Sequence, residues 1–154
     1  MESLVEYRPY GRVLSNLAEK KISELVSDGS TPVWITHYDR DTVPFYQKPD
    51  IKNTDKALNA DLILPSINGC FGGEALGSGQ RQDSPNEIIE SMKRQGIKNN
   101  SSYEWYIDLR RNKNYKITSG IGMGIERFIA WLVGVKSIAD AAVYPVIKNE
   151  KSIL

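Results

Sequence analysis

The chain of 154 residues has a single cysteine, Cys70, and a single histidine, His37. One cysteine excludes an intramolecular disulfide and any cysteine-built zinc cage, and it points to a reducing compartment. His37 ends a strand-like run with no clustered partner, so it reads as structural rather than as a metal ligand. Cys70 reads as a small buried residue, because no histidine stands near it in sequence to activate a thiolate. No run approaches the roughly 18 apolar residues of a membrane span, and no opening segment joins a basic region to an apolar one. The expectation is a cytosolic protein with no membrane partner. Neither charge dominates: 20 Lys and Arg against 19 Asp and Glu give a formal net charge of +1, so any nucleic-acid contact would have to be local.

What is present suits one globular domain over residues 1–154. RVLSNLAEKKISELVS (12–27) has Val13, Leu14, Leu17, Ala18, Leu25 and Val26 at helical spacing, which predicts an amphipathic helix closed by Asp28-Gly29. PVWITHY (32–38), VPFY (43–46) and Leu62-Ile63-Leu64 carry a strand signal, and the polar QKPDIKNTDK (47–56) a surface loop. NGCFGGEALGSGQRQ (68–82) predicts a long, bent strand whose glycines let backbone or ligand come close. SPNE (84–87) sets Ser84 as N-cap, Pro85 at the first helical position and Glu87 at the capping-box position, with Gly96 as the stop. A helix near 102–111, a strand over 116–124 and a largely buried helix over 125–135 follow. The order predicts an α+β domain with a mainly antiparallel sheet and helices packed on it.

Three groups of residues can carry chemistry. The first is GIGMGIER (120–127), a glycine-rich strand running straight into a helix. Free backbone N–H groups and the positive helix end suit a phosphate there, and Arg127 adds a fork of donors. Close strand-to-helix packing with a solvated Glu126-Arg127 pair explains the same residues equally well. The second is Glu74 and Arg81, seven residues apart, which a bulge at Gly77 or Gly79 would bring to one side of the strand. A carboxylate suits Mg²⁺ carrying nucleotide phosphates and an arginine suits a carboxylate or carboxamide, but a surface ion pair is the plainer reading. The third is Glu104, Trp105, Tyr106, Asp108, Arg110 and Arg111, read as core aromatics beside a solvated charged face.

Taken together, GSGQRQ (77–82), EWYIDLRR (104–111) and SGIGMGIERFIAWLVGV (119–135) resemble the carboxy-terminal part of the catalytic domain of class II aminoacyl-tRNA synthetases. The asparaginyl and aspartyl subgroup is the closest, asparaginyl enzymes more so. WITHYDRDTVPFY (34–46) is similar to the family's two strands that meet at a Tyr-Pro turn and end in Pro-Phe-Tyr, here without that first proline. The resemblance covers about residues 11–145 and implies a truncated class II synthetase-like fold. It implies that GIGMGIER is motif 3, with Arg127 on the ATP γ-phosphate, Glu126 beside it, and Gly120, Gly122 and Gly124 as the adenine and ribose floor. It assigns Glu74 to Mg²⁺, and Arg81, with Gln80 and Gly77, to the side chain of asparagine or aspartate. The implied reaction is in-line attack of the amino-acid carboxylate on the α-phosphate, giving an aminoacyl-adenylate and pyrophosphate.

Motif 1, motif 2 and the anticodon-binding barrel have no counterpart in the chain. A partner chain supplying motifs 1 and 2, or a homo-oligomer, is therefore expected, and tRNA charging by this chain alone is not. Thr118 replaces a histidine before the Ser-Gly of motif 3, and Val146 replaces an arginine after the final proline. Losing one charged hydrogen bond to phosphate costs about 1.5–3 kcal/mol. An asparagine synthetase-like amide ligase working with a partner chain, and an inactive ATP- or amino-acid-binding regulatory paralogue, are the alternatives.

Overall fold

A computed structural model of the chain describes residues 4–8, 11–98 and 101–145. Val146 lies outside the described residues. β1 (Val5–Arg8) and β2 (Gly11–Leu14) pair antiparallel with Val5 opposite Leu14 and Arg8 opposite Gly11. Then come α1 (Asn16–Ser27), β3 (Val33–Thr36), a 3₁₀ turn (Arg40–Thr42), β4 (Asn59–Leu64) and β5 (Gly73–Gln80). α2 (Pro85–Arg94), α3 (Ser101–Arg111), β6 (Ser119–Met123), α4 (Ile125–Val133) and a second 3₁₀ turn (Ile138–Ala141) complete the order. The second sheet runs β3-β4-β5-β6, and the whole is an α+β fold with antiparallel sheets and four helices. Contacts divide the chain into two compact units. Unit 1 takes Met1–Ser15, Thr36–Ala60 and Ser78–Ile121; unit 2 takes Asn16–Ile35, Asp61–Gly77 and Gly122–Leu154.

In unit 1 the core forms around Phe45, Ile88, Met92 and Ile107, with Tyr46, Ile89, Ile97, Tyr103 and Tyr106 packed against it. α2 starts as its sequence predicts: the Ser84 hydroxyl accepts from the Glu87 N–H, Pro85 holds the first position, and Gly96 in the left-handed region follows its end. Lys48 reaches across to Asp83 and, at 2.9 Å, to Glu87, tying the 47–50 loop to the start of this helix.

Four expectations are corrected. Residues 12–14 belong to β2, not to a helix from 12; the Ser15 N–H continues the hairpin to the Leu4 carbonyl (3.1 Å) and α1 begins at Asn16. Pairing with β1, distant in no local periodicity count, decides this. In unit 2, α1 buries Ala18, Glu19 and Ser23, while Leu25 and Val26 are exposed because the last turn outruns the surface on which the earlier turns pack. VPFY is a turn rather than a strand: the Gln47 N–H closes onto the Pro44 carbonyl (2.9 Å), and Phe45 serves the core instead of a ladder. α4 does end at Gly134, in the left-handed conformation, but it is not largely buried. Ala130 is enclosed, whereas Leu132 and Val133 are each more than 60% exposed, since none of the described residues covers that face.

Candidate functional site

In unit 2 the strand-to-helix turn of the GIGMG run places Arg127 in the first turn of α4. The Gly124 N–H donates to the Ala75 carbonyl (2.9 Å), fixing the helix start to β5. Arg127 folds back so that its stem passes 3.1–3.4 Å from where a Cβ on Gly124 would stand. From there Nη1 donates to the Glu74 carbonyl (2.9 Å) and lies 3.3 Å from its Oε2. Two residues assigned to one ligand thus meet, each side chain about two-fifths exposed.

A third group joins them. The point that a Cβ on Gly77 would occupy is 3.2 Å from Asp61 Oδ1 and 3.5 Å from Glu74 Oε1, so two carboxylates converge over a glycine. Among the described residues no three His, Cys, Asp or Glu side chains cluster as a metal cage. Two carboxylates fit Mg²⁺, which is commonly held by one or two of them together with substrate phosphates. Sequence reasoning missed Asp61; its signal was a lone acid inside the apolar strand run NADLIL.

In unit 1, Arg81 follows the end of β5, its N–H bonded to the Thr118 carbonyl (2.8 Å). Its guanidinium carbon lies 4.8 Å from the centre of the Tyr46 ring. Nη2 is 2.0 Å from where a Cβ on Gly120 would be, so that glycine is open space filled by an arginine. Gly79 plays the same part for Gln47, whose amide oxygen would be 1.9 Å from an added Cβ. Gly122 meets nothing within 4 Å, and Glu126 is exposed on α4. Gln80, next to Arg81 in an alternating strand, lines a cavity of about 390 Å³ with Thr36, His37, Asn59, Ser78 and Ser119. Thr118, in the histidine's place, meets the Tyr115 hydroxyl at 3.1 Å.

Arg110 departs from the solvated face expected of it. It is 8% exposed, 3.6 Å from the centre of the Tyr106 ring and 4.8 Å from that of Tyr115. Nε donates to the Gln82 carbonyl (3.1 Å) and Nη1 to the Tyr106 carbonyl (3.0 Å). Burial pushes the Tyr106 phenol above its usual range, against the pull of Arg110 and Arg81. Gln82, fully enclosed, donates to the Phe45 carbonyl and to Ser91 Oγ (2.9 Å). Arg111 stays on the surface with Glu104 and Asp108, as expected. His37 bonds Thr36 Oγ1 (2.8 Å), and Cys70 is part-buried, its thiol donating to the Gly134 carbonyl (2.8 Å).

The family model described as tRNA synthetases class II (D, K and N) matches residues 9–148. A probable cytoplasmic asparagine–tRNA ligase of Encephalitozoon cuniculi (strain GB-M1) is 36% identical over 135 residues, covering 88% of this chain and 28% of that protein. The asparagine–tRNA ligase of Pelotomaculum thermopropionicum is 38% identical over 117 residues, 74% of this chain and 25% of that one. The crystal structure of asparaginyl-tRNA synthetase from Pyrococcus horikoshii matches with a TM-score of 0.78 and 28% identity, covering 94% of this chain and 32% of that chain. Its complex with asparaginyl-adenylate matches with a TM-score of 0.77 and the same identity, over 94% of this chain and 31% of that one. The chain thus spans between a quarter and a third of the length of each of these relatives. On the family match and this likeness of fold, the chain belongs to the class II tRNA synthetases of the D, K and N group and is a catalytic-domain piece of the asparaginyl and aspartyl type.

Proposed function

We propose that this chain contributes the ATP- and amino-acid-binding part of a site that activates asparagine, or aspartate, as an aminoacyl-adenylate. The observation that carries the reading is the meeting of Arg127, Glu74 and Asp61 around two glycines in unit 2. Without a ligand, Arg127 and Glu74 neutralise one another in a part-exposed pair worth about 0–1 kcal/mol. ATP would exchange that pair: the guanidinium turns to the γ-phosphate with two parallel donors, and the carboxylate is released. Glu74 and Asp61 would hold Mg²⁺, which supplies positive charge to the phosphate oxygens. Gly120, Gly122 and Gly124 leave a floor on which adenine and ribose can lie, with Glu126 at its rim.

The amino-acid carboxylate oxygen then attacks the α-phosphorus, a P–O bond to the acid forms, and the bond to pyrophosphate breaks. Arg127 and the two carboxylates act by positioning and by charge stabilisation of the departing pyrophosphate. Arg81 recognises the side-chain amide or carboxylate of the substrate, with Gln80 and Gly77 as neighbours in β5. The relatives are three to four times as long as this chain, so motifs 1 and 2 come from a partner chain or a second copy, and tRNA charging is not a property of this chain alone. The Encephalitozoon relative is described as cytoplasmic, and we carry that compartment over.

Calorimetric titration of the full chain with Mg·ATP tests the reading. Binding is expected, weakened about 10- to 100-fold in Arg127→Ala, the equivalent of about 1.5–3 kcal/mol for a charged hydrogen bond. ATP–pyrophosphate exchange with asparagine, then aspartate, follows. Binding without exchange in the assembled protein would leave a binding module, and no binding of ATP at all would overturn the nucleotide assignment.

A further inference from the structure

We infer that Tyr46 is the positioning residue for Arg81, its ring face fixing where the guanidinium points. The inference rests on the reading of Arg81 as the group that meets the substrate side chain. Nothing in the family motifs quoted above calls on Tyr46, which enters them only as the last letter of Pro-Phe-Tyr.

Backbone pairing sets the two residues side by side. The Gln82 N–H donates to the Tyr46 carbonyl (2.8 Å), the Lys48 N–H donates to the Gln80 carbonyl (2.9 Å), and Gln47 bridges antiparallel to Arg81 between them. Residues 46–48 and 80–82 therefore form a short ladder, and cross-strand neighbours on a ladder face each other. The ring cannot turn freely, because Phe45 and Tyr106 meet it edge to face at 5.5 and 6.4 Å between centres. Phe45 is itself buried in the core, so the ring is held from the hydrophobic side and offers its face to the charge. An aromatic face attracts a cation through its quadrupole, most usefully where water is partly excluded.

No carboxylate pairs with Arg81 among the described residues. A guanidinium held by an aromatic face and by backbone alone keeps its forward donors unspent, and those donors are what a carboxamide or carboxylate needs. A carboxylate in place of Tyr46 would hold the arginine as well, but it would compete with the substrate. The aromatic platform gives orientation without that competition, and in this sense Tyr46 tunes affinity for the amino acid through Arg81.

The test uses the full chain, the Arg81 Nε–H resonance, and titrations with L-asparagine and with Mg·ATP. Wild type and Tyr46→Phe are expected to share an upfield ring-current shift of that resonance and equal asparagine affinity. Tyr46→Leu is expected to lose the shift and bind asparagine about three- to tenfold more weakly, with Mg·ATP affinity unchanged. Should the leucine variant fold poorly, replacement of Tyr46 by pentafluorophenylalanine keeps the shape and inverts the face electrostatics; the same loss of asparagine affinity is expected. An Arg81 resonance that is unshifted in wild type overturns the proposal. So does asparagine binding that falls in Arg81→Ala but holds in both ring variants, an outcome that leaves the reading of Arg81 standing. Asparagine binding that is absent in wild type, or indifferent to Arg81→Ala, overturns that reading and the inference together.

Discussion

Arg127 and Arg81 lie against glycines of the same GIGMG run, yet they are held in opposite ways. Arg127 wraps its stem past Gly124 and hands its charge to Glu74. Arg81 lies on Gly120 and on the Tyr46 ring, with no carboxylate among the described residues to meet it. The first arrangement suits a group that must carry its own neutraliser until a highly charged ligand replaces it. The second suits a group whose partner is a small side chain, too weak a ligand to displace a carboxylate. The glycines explain both: each marks a place where a side chain, rather than a Cβ, fills the space above a strand.

The largest effect should come from a third arginine, on which the placement of the second depends. Arg110 holds the carbonyl of Gln82, the residue after Arg81, while lying on two tyrosine rings. Arg110→Ala leaves that buried carbonyl without its donor and empties the space over the rings; the expected loss in denaturant unfolding is about 3 kcal/mol. Arg110→Lys should recover little of it, because an ammonium cannot reproduce the fork. A loss below about 1 kcal/mol would mean that the strand end carrying Arg81 is fixed by its ladder alone.

The glycine comparison itself gives the next effect. Gly120→Ala puts a methyl group 2.0 Å from Arg81 Nη2 and must push the guanidinium off the Tyr46 ring, whereas Gly124→Ala meets only the Arg127 stem at 3.1 Å, which a few tenths of an ångström relieve. Gly120→Ala should weaken asparagine binding about tenfold, near 1.4 kcal/mol, with thermal stability little changed because a flexible side chain is what yields. Gly124→Ala should leave Mg·ATP affinity within about threefold and cost a few tenths of a kcal/mol at the helix start. Equal losses from the two would abolish the distinction between the arginines.

How much of this was legible in the sequence follows from the range of the interactions. The α2 start is written in four consecutive residues, and the left-handed Gly134 after α4 in one, because caps are local. β2 was hidden, since RVL at 12–14 is strand only through its pairing with residues 5–7. Pro-Phe-Tyr has strand composition, but its ring at 45 is drawn into a core shared with α2 and α3, which no local pattern encodes. Arg127 and Glu74 could be named in advance by resemblance, whereas Asp61 and Tyr46 appear only once the chain is folded over Gly77 and beside Arg81. α4 was read as buried from its apolarity alone; apolarity shows what a surface would prefer to meet, not that the described chain supplies it.

The smallest effect separates ion pairs that hold the fold from the exchangeable pair at Arg127. Asp39 accepts from Arg12 Nε (2.9 Å) and from Lys56 Nζ (2.6 Å), fastening β2 to the loop after β3. The Arg12 hydrogen bond, aided by Lys56 and opposed by partial burial, holds the Asp39 carboxyl far below the usual carboxylate range. Lys48 lowers Asp83 in the same direction. A carboxyl whose folded value is depressed binds fewer protons folded than unfolded, so its contribution is complete above the unfolded value near about 3.9 and is lost as pH falls toward the folded one. Thermal midpoints should therefore drop as pH falls from about 5 to about 2, the drop should be shallower in Asp39→Asn, and less so in Asp83→Asn. Asp39→Asn should also weaken with added salt less than wild type does, because the screened charge pairs are then already gone. An acid slope identical in all three proteins would show that the hairpin is held by its ladder and packing, and that Arg12, like Arg127, is a charge the fold does not depend on.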